Sequence, residues 1–86
     1  MEKLFEALII AMDENSFMVE HEKKKVKEVC KTIKQLIKVN ESIENKVDIA
    51  PYMMDREQHI KQYSEYKEQQ RKLNRIFKIL YKDTEE

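Results

Sequence analysis

The chain has 86 residues, with 17 basic and 17 acidic groups, no Gly or Trp, one Pro and one Cys. That length makes one domain, residues 1–86, near the lower end of what folds on a single core. Zero net charge argues against a generic polyanion binder, and a 40% charged fraction leaves so thin a core that self-association is expected.

The first apolar run is "LFEALIIAM", residues 4–12, flanked by Glu2, Asp13 and Glu14 and interrupted by Glu6. It is too short and too acidic to span a bilayer, and no small-residue cleavage site follows it, so neither a signal peptide nor a membrane span is expected. The same acids would be repelled by anionic lipid, which disfavours a peripheral membrane role. Next comes "DENS", residues 13–16, three of whose side chains are poor helix-interior groups and good caps. Two readings compete there. Cap chemistry, and the need to cover "LFEALII", predict a break after a short helix at about 2–13. An unbroken apolar phase instead predicts one helix from about 2 to 46, roughly 65 Å long. The break is preferred, which makes three helices.

A heptad with Val26 at position a sets Phe5, Leu8, Met12, Val19, Val29, Ile33 and Leu36 on one seam. Asn15, Glu22 and Asn40 are its polar lapses. The second helix is expected over about 16–47. Pro51 and its effect on Ala50 then predict a loop at 48–54. Asp55 reads as the next N-cap, with Gln58 as its capping-box partner, opening a helix at about 55–82. Its seam runs Tyr63, Tyr66, Gln70, Leu73, Phe77 and Leu80. The expected fold is all-α: an antiparallel helical hairpin plus a short N-terminal helix, a three-helix bundle that pairs as a homodimeric, coiled-coil-like bundle. Folding the chain about its turn sets position n opposite 101 minus n, so His21 would face the region of Leu80 and not His59.

Catalysis has little support. The sequence holds no Gly-rich phosphate loop, nucleophile elbow or paired-Cys motif, and its two histidines lack metal-ligand spacing. No enzyme activity, metal or cofactor is expected. Cys30, alone and beside the seam, suits a small buried hydrophobe in a reducing cytoplasm. The aromatics Tyr63, Tyr66 and Phe77 sit on seam positions and pack there, whereas Tyr81 at position e is the aromatic expected to stay free.

Charge comes in blocks. Residues 1–20 hold one Lys against five acids, and residues 21–40 seven Lys against two acids. Within the second block Lys24, Lys27, Lys31, Lys34 and Lys38 recur at alternating steps of three and four, opposite the seam. Like-charge neighbours at that spacing cost about 0.2–0.5 kcal/mol each. A face built only for solubility would alternate signs. The row therefore suggests a small cytoplasmic regulator or adaptor that docks on a protein partner with an acidic patch. The alternative is a nucleic-acid binder that also uses Arg71, Arg75, Lys78 and Lys82, which fall on b and f positions of the last helix.

Overall fold

The protein is described here by a computed structural model that covers residues 2–85, with side chains through Lys82. Those residues form two helices, α1 (Glu2–Ser42) and α2 (Ala50–Glu85), packed against each other as a helical hairpin. The rod they make measures 70 × 15 × 14 Å.

The break expected at residues 13–16 is absent, because α1 runs through "DENS" without interruption. Two effects compete at this point. Asp13, Asn15 and Ser16 each cost at most about 0.7 kcal/mol of helix propensity relative to Ala. Burying a Leu, Met or Phe side chain stabilises by about 1.5–3 kcal/mol. An unbroken α1 keeps Phe5, Leu8 and Met12 in phase with Val19 against α2, so the seam outweighs the local preference. Asp13, Glu14 and Ser16 face outward, and only Asn15 turns inward. α2 covers Phe5 and Leu8 of "LFEALII", while Leu4, Ile9 and Ile10 stay exposed.

The connection also differs from expectation. α1 stops at Ser42, short of 47, and residues 43–49 form the link. Asn40 holds that link: its Nδ2 donates to Val47 O at 3.0 Å, and its Oδ1 accepts from Val47 N at 2.9 Å. Lys46 Nζ reaches back to the carbonyls of Asn40 and Ile43, a cation at a helix C-terminus that satisfies orphan acceptors. α2 then begins at Ala50 and not at Asp55. Asp48 Oδ1 accepts from Ala50 N at 3.0 Å, and Ile49 O accepts from Tyr52 N and Met53 N. Pro51 falls in the first turn, where its missing N–H would have no intrahelical partner anyway. A residue read as a helix breaker is thus part of a helix start. Asp55 lies inside α2 and caps nothing.

Register follows from the contacts. Phe5 meets Phe77 with ring centroids 5.5 Å apart, Asn15 meets Tyr66, and Glu22 meets His59. Residue n of α1 therefore lies opposite about 81 minus n, far from the symmetric folding expected. The reason is an overhang. α2 starts beside residue 31 or so, and the last turns of α1 project beyond it, clad only by the returning link. Among the described residues the buried ones are Leu8, Asn15, Val19, Glu22 and Ile33, all on the predicted a and d seam.

Register also explains the charge blocks. The acidic stretch 2–20 of α1 lies along the basic stretch 61–79 of α2, which carries six basic and two acidic groups. Opposite fields run side by side down the open half of the hairpin and favour this register over others.

Candidate functional site

Two polar constellations stand out, one inside the seam and one outside it. Inside, Asn15 is 4% exposed and ties the helices together. Its Nδ2 donates to Tyr66 O at 2.9 Å and to Gln69 Oε1 at 3.1 Å, while its Oδ1 is buried without a partner. Two turns on, the Glu22 carboxylate, also buried, lies 2.6 Å from His59 Nδ1. The other ring nitrogen, Nε2, lies 3.4 Å from Asp55 Oδ1. The imidazole is thus held between two carboxylates on opposite edges. Each nitrogen faces one carboxylate, and the ring also borders a shallow hollow with Lys25, Thr32 and Tyr52. No group of three or more His, Cys, Asp or Glu among the described residues could hold a metal ion. The arrangement is a cross-link between helices. The heptad lapse at Glu22 marked it in the sequence, but the partner was hidden by the unrecognised overhang.

Outside, Lys24, Lys27, Lys31, Lys34 and Lys38 are all exposed. Among the described residues none of the five makes an ion pair; the nearest pair, Lys25 to Glu28 at 3.7 Å, lies beside the row. Helical spacing carries the row along the outer face of α1 and onto the overhang. There Lys31, Lys34 and Lys38 border a shallow hollow together with Gln35, Ile37 and Glu41. Ile37 is 46% exposed, so the cationic rim surrounds an apolar spot. Sequence reasoning missed Ile37, since it stands at position e, where an apolar residue reads as seam.

The second basic set is less free. Arg71, Arg75, Lys78 and Lys82 are exposed on α2, and Arg71 Nη1 is paired with Glu68 at 3.3 Å. Tyr63, Tyr66 and Phe77 are half-buried in the seam and not available as open stacking platforms. Tyr81 is stacked on Phe77, with centroids 6.0 Å apart, contrary to the expectation that it stays free. His21 is exposed against the Phe17 ring, and the register sets its neighbour Glu22 opposite His59. Cys30 is half-buried.

Among the described residues no helix is long and apolar enough to cross a membrane. Comparison with known proteins finds no matching family model, no matching curated protein and no matching solved structure.

Proposed function

We propose that this chain is a small non-enzymatic regulator or adaptor, acting in the cytoplasm as a homodimer, that docks on an acidic patch of another protein through Lys24, Lys27, Lys31, Lys34 and Lys38. The observation that carries the reading is the hollow on the overhang. There three unpaired lysines frame an exposed isoleucine, a combination that suits a protein surface with acids around an apolar knob. A nucleic acid would have no use for Ile37. The imidazole held between Glu22 and Asp55 as a link between the helices supports the non-enzymatic part.

The test uses the full chain carrying Lys27→Glu, Lys31→Glu and Lys34→Glu together. Helicity should be kept, because all three project into solvent. A partner captured from nuclease-treated native lysate by the parent, and identified, should bind the purified parent directly and release in rising salt. It should not bind the triple variant, and Ile37→Ser should weaken it severalfold. A triple variant that binds as the parent does would refute the docking row. Binding of mixed-sequence RNA by the parent, with a steep salt dependence and loss on Arg71→Glu and Arg75→Glu, would instead establish the nucleic-acid alternative.

A further inference from the structure

The hairpin buries few of its own apolar side chains: among the described residues only Leu8, Val19 and Ile33 are buried, and no side chain is completely enclosed. Exposed apolar side chains occur on several faces, Ile10 and Phe17 on the outer face among them, but one group gathers on a flank of the open end. Because α2 runs antiparallel to α1, the g positions of both helices lie on the same flank of the seam. The Asn15 to Gln69 hydrogen bond fits this, since Gln69 is a g residue of α2. On that flank the register sets Leu4 and its neighbours Ala7 and Ala11 level with Ile76 and Ile79. Leu4 is 58%, Ile76 47% and Ile79 56% exposed, so one side of the open end is an uncovered apolar patch.

We infer that a second copy of the chain covers this flank, with its two-fold axis along the rod. The open ends then lie together and α1 of each copy packs against α2 of the other in a four-helix bundle. The inference rests on the homodimer reading above and specifies its face and sense. The thin core and the size of the flank point to a second copy as the occupant. The few charges on the flank itself are of both signs, Glu14 and Glu65 with Lys72, and do not oppose such a pairing. One flank of a rod 70 Å long and 15 Å wide offers on the order of 1,000 Å², against about 800 Å² per partner in a stable interface.

The position of the patch decides the sense of packing. Turned end for end, the copy would set Leu4, Ile76 and Ile79 against the flank near the turn, where Lys25, Thr32, Asp55 and Gln58 outnumber the exposed apolar Val39. Packed with open ends together, the apolar residues meet their own kind. The b and f positions that hold the lysine row lie on the opposite side of each α1. A dimer so built displays two free rows.

Sedimentation equilibrium of the full chain, together with one distance measurement, tests this. The parent should give about twice its 10.5 kDa chain mass. Ile76→Lys with Ile79→Lys should weaken self-association at least tenfold, whereas Ile10→Lys with Phe17→Lys, on the outer face, should leave it unchanged. In a Cys30→Ser background, nitroxides attached at Glu41→Cys should lie within about 40 Å of each other across the dimer. An end-for-end dimer would separate them by about 50 Å or more, at 1.5 Å per residue. A parent that is monomeric throughout would overturn the dimer and this face together. A dimer indifferent to Ile76 and Ile79 would overturn the face alone. A long label distance would overturn the sense of packing, even if the lysine variants fail to fold.

Discussion

At the open end of the rod Phe5 meets Phe77, Tyr81 stacks on Phe77, and both helices present apolar residues to each other and to one flank. At the turn end α1 outruns α2, its last turns are clad by a seven-residue link, and the outer face is a row of lysines. The open end holds two helices in phase over many turns, so its contacts reinforce one another. The turn end is held by local hydrogen bonds from Asn40, Lys46 and Asp48. The turn end still buries Ile33, so the contrast lies in how each end is held and in the charge that the turn end displays.

Substitutions placed in each half break or sharpen that contrast, each read by urea denaturation at one fixed chain concentration. The largest effect is expected from Val19→Asp, which buries an unpaired charge in the seam at a site only 5% exposed. It should cost several kcal/mol and unfold the protein. Leu36→Asp, on the half-buried overhang, should cost clearly less. Equal losses would remove the distinction between the two ends. Inserting two glycines between Asp13 and Glu14 comes next. It rotates the first turns of α1 off the seam and should again cost several kcal/mol, while the same insertion between Glu44 and Asn45 should cost less than about 1 kcal/mol.

Glu22→Ala leaves His59 with its Nδ1 unpaired inside the seam and should cost about 1–3 kcal/mol. Glu22→Leu combined with His59→Leu should recover much of that loss, because an apolar pair needs no desolvation to be repaid. Asn40→Ala removes two hydrogen bonds to Val47 at a partly solvated site and should cost about 1 kcal/mol. The smallest effect belongs to the triple Lys27, Lys31 and Lys34 to Glu variant, whose midpoint should stay level or rise as repulsion along the row is relieved. A marked fall there would mean that the lysines hold the fold and do not simply decorate it.

What could be read from the sequence was set by periodicity. The heptad placed every buried residue on the seam, including the two polar ones, because burial here follows helical position more than residue type. Phe17, at 69% exposed, and Asn15, at 4%, make the same point in opposite directions. Local chemistry misled where tertiary context overrode it. "DENS" carries cap residues, yet Asn15 finds its partners on α2, fifty residues away in sequence. Pro51 and Asp55 read as a stop and a start in sequence, yet the Asp48 side chain and the first-turn tolerance for proline set the start of α2 at Ala50. The symmetric folding about the turn failed for a geometric reason: no sequence rule fixes how far one helix overhangs the other. Exposure of the lysine row followed from the same heptad. The apolar spot at Ile37 did not, since only the overhang leaves it uncovered.

The central claim is that one unbroken helix joins the cohesive end to the lysine row. It can be measured in single chains, with nitroxides at Glu6→Cys and Lys38→Cys in a Cys30→Ser background diluted into excess unlabelled protein. Thirty-two residues of continuous helix separate these sites by about 48 Å along the axis. A narrow distribution centred near 50 Å is the predicted result. A first helix folded back at residues 13–16 would bring the two labels to roughly 25 Å by the same rise per residue. A dominant population at that distance would contradict the account.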